Sequence, residues 1–353
     1  MSHKIIVEKS KEILLDCCLR NGAIVAANTD RPDYPHNVQS YRYVWPRDAA
    51  YICYALGLLG CLEEQANYFR WLKRAEDLNE TGLLFQNYYT HGRKRWLSFQ
   101  PDQNGSTLWA IHNFLIKYPS YKQEFLPLVR LLADGLCRVW NKDHFSIVTQ
   151  DLWETFYTYP ELKTTFTYSI AACCRGLLCA NELHENQEWR ITAQQMKKKI
   201  EASTHNGFFL RRCGAEKDFR LDSSILGIFW PFEIFGPEDK RIRNTLKHLA
   251  ACERNGGVYR FQFDDYDGFR FQGIDAYRGA GAWPILNFWM SICYSKLGNK
   301  KKAVEYFDWV IERLDENLNI PEQIFENKEL VSIKPLAWSH AMFIIAAAEL
   351  GIL

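Results

Sequence analysis

The chain has 353 residues, and its 43 lysines and arginines against 42 aspartates and glutamates give a formal net charge of +1. This balance argues against a nucleic acid or a membrane surface held by bulk electrostatics. Aromatic side chains are abundant, at 15% of the residues with 12 tryptophans. The length allows a large core, since chains near 300 residues bury about three quarters of their unfolded surface.

The N-terminal residues, MSHKIIVEKSKEILLDCC, contain no apolar run before a small-residue cleavage site. No stretch approaches the ~20 apolar residues of a membrane span. The 11 cysteines include adjacent pairs at 17–18 and 173–174, a pattern typical of reduced, buried thiols. There is no Cys-x-x-Cys, and the histidines lack ligand spacing. The sequence therefore predicts a cytoplasmic protein without a metal or a cofactor.

Apolar residues recur at three- and four-residue spacing along most of the chain, which is typical of amphipathic helices. About twelve helices are predicted, at residues 5–21, 47–59, 61–75, 105–117, 121–139, 165–183, 186–203, 222–235, 237–253, 283–298, 299–315 and 335–352. Pro237 is expected to open one helix, and Gly298 to separate two others. Strand alternation is scarce, so the fold class is all-α.

The connections between these helices alternate in length. Five are very short, whereas six are long, at about 22–46, 76–104, 140–164, 204–221, 254–282 and 316–334. Short links favour antiparallel neighbours, so every long loop is expected at one end of the molecule. The pattern predicts six helical hairpins closed into an (α/α)6 barrel, as one domain over residues 1–353. An open solenoid of hairpins is the alternative, although no fixed sequence period supports it.

The long loops hold carboxylates, arginines and aromatic residues. Their segments read YRYVWPRD at 41–48, QPDQNG at 100–105, QDLWETFY at 150–157, YRFQFDDY at 259–266, GAWP at 281–284 and IPEQ at 320–323. Glycosidic cleavage needs two carboxyl groups, and binding a pyranose needs aromatic surfaces with planar groups for the hydroxyls. Glu154 stands among aromatic residues, where desolvation would keep its proton available. These residues point to a carbohydrate-acting enzyme.

Each residue also has a structural interpretation. Asp48 could only favour the N-terminus of a helix, and Arg260 could belong to a surface ion pair. Trp283 could be ordinary core, and residues 264–265 are expected to be solvated aspartates of a turn. Glu154 could be a structural carboxylate paired with a nearby basic group, and Glu322 could merely lie in the first turn of a short helix.

At these loops the chain resembles the glucoamylase-like family of inverting α-glucosidases, which are built on an (α/α)6 barrel. Five motifs occur in family order, from about Tyr41 to Trp338. The 41–48 segment is similar to the one whose arginine and aspartate bind the non-reducing glucose. DLWE at 151–154 is similar to the general-acid motif, and PEQ at 321–323 resembles a bacterial and archaeal form of the general-base motif. Tyr259-Arg260 matches a sugar-binding arginine, and LAWS at 336–339 resembles the last barrel helix.

The resemblance implies that Glu154 protonates the glycosidic oxygen while Glu322 takes a proton from water on the opposite ring face. Their carboxyl groups should then lie roughly 6.5–9.5 Å apart, because a spacing near ~5 Å implies a retaining mechanism. The predicted substrate contacts are Tyr41, Trp45, Arg47, Asp48, Asp102, Trp153, Arg260 and Trp283.

In two respects the chain departs from the family pattern. Thr155 stands where the family usually carries a second glutamate that binds the neighbouring sugar, so linkage preference is open. The chain begins almost at the barrel, so neither a separate β-sandwich nor a starch-binding domain is expected.

The predicted substrate is an α-linked gluco-oligosaccharide or disaccharide. The alternatives are a trehalase on the same barrel, a catalytically silent carbohydrate-binding or regulatory protein, and a helical scaffold that binds another protein. The oligomeric state is not predicted.

Overall fold

The computed structural model describes residues 3–214, 218–268, 280–326 and 331–353. Within these ranges it contains α1 (His3–Cys17), α2 (Pro46–Leu58), α3 (Leu62–Leu72), α4 (Leu78–Thr81), α5 (Pro101–Lys117), α6 (Lys122–Val139), α7 (Thr167–Leu183), α8 (Gln187–Ala202), α9 (Lys240–Leu249), α10 (Pro284–Lys296), α11 (Lys300–Ile311) and α12 (Ala337–Glu349). The 3-10 helices are Pro119–Tyr121, Pro160–Leu162, Ser223–Ile228 and Ala250–Cys252.

Short strands lie in the long connections. They are β1 (Phe85–Tyr88), β2 (Lys94–Phe99), β3 (Trp140–Asn141), β4 (His144–Phe145), β5 (Thr149–Gln150), β6 (Tyr157–Thr158), β7 (Thr165–Phe166), β8 (Thr204–His205), β9 (Phe208–Phe209), β10 (Arg212–Cys213), β11 (Glu253–Arg254) and β12 (Gly257–Val258). All the described pairs are antiparallel; five join consecutive strands, and β10 pairs with β7.

Six helical elements form a closed inner ring. Around it, α2 packs on α5, α5 on α7, α7 on Ser223–Ile228, that 3-10 helix on α10, α10 on α12, and α12 on α2. The outer helices α1, α3, α6, α8, α9 and α11 pack on this ring, and α1 and α6 each contact two of its elements. This arrangement is the predicted (α/α)6 barrel, and the all-α prediction is confirmed.

The inner helices are buried on nearly all sides, as expected for helices that are covered all round. In α12, every residue from 337 to 347 is buried. Helices α5 and α7 cross closely at two glycines: a Cβ on Gly105 would lie 2.3 Å from the backbone of Ala172, and one on Gly176 would lie 2.7 Å from the Gly105 carbonyl. A larger side chain at either position would push the two helices apart.

The predicted helix 222–235 is wrong beyond its first turns, since only the 3-10 helix Ser223–Ile228 forms there. Pro231 lacks an N–H group and disfavours the helical conformation of the residue before it, so the helix cannot continue. The next helix begins at Lys240 rather than at Pro237, because the Asp239 side chain accepts the backbone N–H of Arg241 and caps it there. At Gly298 the predicted break is confirmed, with φ +78° and the Asn299 side chain capping α11.

The N-terminal ends of the inner helices carry the predicted loops. Helices α2, α5 and α10 each begin with a proline, where a missing N–H costs no helical hydrogen bond. Directly before or within these first turns stand Trp45, Asp102 and Trp283. The barrel thus gathers residues distant in sequence at one face. Among the described residues, no helix is long and apolar enough to cross a membrane, and all 11 cysteines are free.

Candidate active site

Glu154 lies in the turn between β5 and β6. Its φ of +61° is left-handed, which is uncommon for a residue other than glycine. Asp151 holds this turn, because its Oδ1 accepts the backbone N–H groups of Thr155 at 2.8 Å and of Phe156 at 2.9 Å. The Glu154 carboxyl is therefore presented from a constrained backbone.

The Glu154 carboxyl has hydrogen-bond donors on both oxygens. Its Oε1 accepts the indole N–H of Trp45 at 2.7 Å, and its Oε2 accepts the side-chain amide of Gln86. The Arg47 guanidinium lies 4.0 Å from Oε1. The Glu154 side chain is 28% exposed, so most of it is shielded from solvent while part of it can still be reached.

Glu322 lies in the connection between α11 and α12, and only 5% of the residue is exposed. Its backbone N–H donates to the carbonyl of Ile333 at 2.8 Å. Its Oε1 accepts the hydroxyl of Tyr41 at 3.1 Å. A bridge between Ala282 and Ile324 ties this connection to the segment before α10, so Glu322 is fixed against a second loop.

Burial raises the pKa of both carboxyls to about 7. The positive charge of Arg47 partly offsets the shift at Glu154, and the Tyr41 hydroxyl and Arg260 do so at Glu322. The negative charge of Glu154 further raises the pKa of Glu322, so the two groups share one electrostatic environment. A neighbouring negative charge disfavours ionisation of a carboxyl, so an ionised Glu154 favours the protonated form of Glu322.

Two tyrosines connect the surroundings of the two carboxyls. Burial is the main cause that raises the pKa of Tyr41 and Tyr266, and the charges of both Glu154 and Glu322 add to it. The Tyr41 ring also packs on Trp45, with centroids 5.4 Å apart. Tyr41 therefore keeps its proton and can donate it in a hydrogen bond to an ionised Glu322.

Arg47 is the centre of a buried charge cluster. Its Nε donates to Asp48 at 3.2 Å, and its Nη1 donates to Asp102 at 3.3 Å and to the Leu152 carbonyl at 3.2 Å. Burial raises the pKa of Asp48 to about 6, with the charge of Arg47 opposing the shift. Asp102 has no exposed surface. Asp102 therefore supports Arg47 in this structure. It has no exposed surface for the direct sugar contact that the sequence predicts.

Arg260 is fixed by a paired carboxylate on its own loop. Its Nε and Nη2 donate to the two oxygens of Asp264 at 2.8 and 2.7 Å. Both residues are buried, so the interpretation of Arg260 as a surface ion pair and of Asp264 as a solvated turn residue is wrong; Asp265 is exposed as expected. The guanidinium also lies over the rings of Tyr266, at 4.6 Å, and Trp283, at 5.3 Å.

Trp153 and Trp283 meet at a centroid distance of 5.7 Å. The indole N–H of Trp153 donates to Asp222 at 2.9 Å, and Trp283 precedes the first turn of α10. Both are buried. They form one aromatic wall that reaches from the Glu154 turn to α10.

Several residues of the site escaped the sequence interpretation. Gln86 lies on β1 and donates to Glu154. The hairpin of β1 and β2 carries no helical periodicity. Asp151 and Asp222 each hold part of the Glu154 turn, and Asp264 holds Arg260. Only Asp151 and Asp264 had a signal in the sequence, as carboxylates close to a predicted residue.

Thr155 offers no carboxylate next to Glu154. Its hydroxyl donates to the backbone carbonyl of Trp153 at 3.1 Å, and the residue is exposed. Within the described ranges, His, Cys, Asp and Glu side chains form no cluster of three or more suited to a metal ion.

The sequence profile of the Glycosyl hydrolases family 15 matches residues 18–88 and 73–306. An uncharacterized glycosyl hydrolase of Methanocaldococcus jannaschii is 29% identical, over 98% of this chain and 55% of its own length. The isomaltose glucohydrolase of Kribbella flavida is 21% identical over 89% of this chain and 86% of its length. A trehalase of Thermoplasma volcanium is 24% identical over 88% of this chain and 52% of its own length.

This chain thus spans about half the length of two of these relatives. Among solved structures, a glycosidase variant in complex with glucose superposes with a TM-score of 0.80, at 20% identity over 99% of this chain and 96% of that one. At this identity the likeness establishes the fold. The profile covers most of the sequence, and the chain belongs to glycosyl hydrolase family 15.

Proposed function

We propose that this chain is an exo-acting glycoside hydrolase that releases glucose from α-glucosides by inverting single displacement. One observation carries the proposal: two carboxyls with a pKa of about 7 lie in one electrostatic environment. A general acid and a general base work best when their pKa values are near the working pH. In this proposal, residues 1–353 act as one catalytic domain.

Proton transfer is assigned to Glu154 and Glu322. The Glu154 proton moves to the glycosidic oxygen as the bond from C1 to that oxygen breaks. A water attacks C1 from the opposite face and gives its proton to ionised Glu322, so an α-linked substrate yields β-glucose. The Tyr41 hydroxyl supports this division, because it donates to Glu322 and stabilises its charged form.

The Gln86 amide suits a residue that changes protonation state. As placed, it donates to Glu154 Oε2. The nitrogen and oxygen of a side-chain amide are interchangeable by rotation, so the same side chain could accept from a protonated Glu154. Gln86 can therefore contact Glu154 before and after the proton leaves.

Binding of the glucose unit is assigned to the charged groups around the carboxyls. Arg47 and Arg260 are held by buried carboxylates, which preorganises their guanidinium groups for planar contacts with hydroxyls. Asp48, with a pKa of about 6, is largely ionised at neutral pH and can accept hydroxyl protons. Trp45, Trp153 and Trp283 provide the apolar surfaces that pack on the sugar ring.

Malto- or isomalto-oligosaccharides are the proposed substrates. The isomaltose glucohydrolase matches over most of its own length, which supports glucose release from a short α-glucoside. The trehalase relative makes trehalose the second candidate. A silent carbohydrate-binding protein is the third, and two carboxyls of raised pKa argue against it.

The test is glucose release from maltose, maltotriose, isomaltose and trehalose. We expect release from at least one of the first three, with β-glucose as the first anomer in proton NMR spectra. Release from trehalose alone would identify a trehalase, and α-glucose as the first anomer would refute inversion. If no α-glucoside is cleaved but sugars bind, the hydrolase proposal fails.

A further inference from the structure

A cavity lies at the opposite end of the barrel from Glu154. It has a volume of about 280 Å³. Its lining includes Leu58, Lys296 and Glu349, which are the last residues of α2, α10 and α12. The N-terminal ends of the inner helices carry the proposed active site, so the length of those helices separates this cavity from it. Leu58 is exposed, which shows that this cavity opens to solvent.

Aromatic rings form one wall of this cavity. Tyr54 stacks on Trp109, with centroids 4.8 Å apart and an angle of 26° between the ring planes. Trp230 also lines the cavity and is buried. The carboxylates of Glu233 and Glu349 add to the effect of burial in raising the pKa of Tyr54, so they lie within electrostatic reach of its hydroxyl. Flat apolar surfaces beside polar groups are suited to the C–H face of a sugar or another polyol.

Four charged side chains line the cavity in two loose pairs. Arg175 Nη2 lies 3.6 Å from Glu233 Oε2, and Lys296 Nζ lies 3.6 Å from Glu349 Oε2. Both distances are too long for a hydrogen bond. None of these four side chains makes a hydrogen bond to another part of the described structure, and Nε of Arg175 is buried without a partner. All four therefore retain donors or acceptors for a ligand.

The charges and the volume limit what this cavity can bind. Two cations and two carboxylates sum to zero, so the cavity offers no net attraction to an ion. Helix C-termini carry partial negative charge, which favours O–H and N–H donors. The volume corresponds to about nine water molecules at roughly 30 Å³ each, which is near the lower end of small-molecule pockets.

We propose that this cavity is a second binding site, for a neutral polyhydroxylated molecule of monosaccharide size. Its ring would pack on Tyr54, which is itself stacked on Trp109, and its hydroxyl groups would contact Arg175, Glu233 and Glu349. The ligand would bridge the two loose ion pairs. This inference does not depend on hydrolysis, because none of these residues belongs to the proposed active site.

The test uses D-glucose as the probe and 5-fluorotryptophan as the label. Fluorine NMR signals of Trp109 and Trp230 are assigned with Trp109→Phe and Trp230→Phe. We expect both signals to shift saturably as D-glucose is added. Ala348→Phe fills the cavity and should abolish these shifts while the signals of Trp153 and Trp283 still respond. Ala202→Phe, at the exposed end of α8, is the matched control and should behave as the unmodified chain does.

Three outcomes would overturn the inference. They are no shift of Trp109 and Trp230, a shift that survives in Ala348→Phe, and a shift with glycine but not with D-glucose, which would indicate a zwitterion site. Should Ala348→Phe fail to fold, the double variant Glu233→Gln/Glu349→Gln should weaken glucose binding here at least tenfold. Equal affinity in that variant would count against the site. If this protein releases no glucose from any α-glucoside but still shows these shifts, only the proposed function is refuted.

Discussion

The two ends of the barrel hold similar residues in different arrangements. At the long-loop end, Glu154 and Glu322 accept hydrogen bonds from Trp45 and Tyr41 and lie in surroundings that raise their pKa values. At the other end, Glu233 is half-exposed and stands 3.6 Å from its arginine. Residue type alone therefore does not distinguish the proposed active site from the other end. Burial together with converging hydrogen-bond donors distinguishes the first end.

The largest expected difference is in turnover. Glu154→Gln and Glu322→Gln should each lower kcat by about 10³-fold, since a positioned acid or base contributes roughly 10²–10⁴-fold. The matched substitutions Glu233→Gln and Glu349→Gln should change kcat by less than about twofold. Glucose release measures the effect, and circular dichroism checks the fold. A wild-type rate in Glu154→Gln would remove that residue from the mechanism.

Loss of the arginine at the long-loop end should destabilise the fold more than loss of the arginine at the other end. Arg47→Leu leaves Asp48 and Asp102 without their buried counter-charge, so the free energy of unfolding should fall by about 3–5 kcal/mol. Arg175→Leu, whose partner Glu233 is exposed, should cost less than about 1 kcal/mol. Urea unfolding gives both values. Equal losses would show that the two charge clusters are energetically alike.

The Tyr41 hydroxyl should lower the pKa of Glu322, the proposed general base. Tyr41→Phe removes a donor that lowers the pKa of Glu322, so the acidic limb of the kcat/KM profile should move to higher pH. We expect kcat to fall by about 10-fold with it, the loss of one hydrogen bond to a charged group. Tyr54→Phe at the other end is the control and should leave the profile in place. An unmoved acidic limb in Tyr41→Phe would separate Tyr41 from Glu322 ionisation.

Burial of Glu322 should make stability depend on pH. Its folded pKa of about 7 lies above its usual value of 4.5, so the folded state binds more protons between these pH values. Protonation of Glu322 therefore adds to the free energy of unfolding. This stabilisation is fully present below pH 4.5 and is lost as the pH rises through 7. Glu322→Gln should be more stable than the unmodified chain by about 1–3 kcal/mol at pH 8, with no gain at pH 4. Urea unfolding at both pH values checks this, and an equal gain at pH 4 would contradict it.

Much of the fold could be predicted from the sequence because the helices are long and strongly periodic. The alternation of loop lengths then predicted the barrel, since short links make neighbouring helices antiparallel. The helix predicted at 222–235 is wrong because the apolar spacing there resembles that of a helix, whereas Pro231 prevents one. The hairpin that carries Gln86 was missed because two short strands give little periodic signal.

The sequence by itself determined the helices, the six long loops and the two glutamates within family-like motifs. Only the tertiary structure decided that Asp102 supports Arg47, that Asp264 fixes Arg260, and that Gln86 contacts Glu154. The physical reason is that these roles depend on burial and on distances between side chains far apart in the chain. Local spacing fixes which residues occupy a loop, but the closed ring of helices sets which loops meet and which charges lose their water.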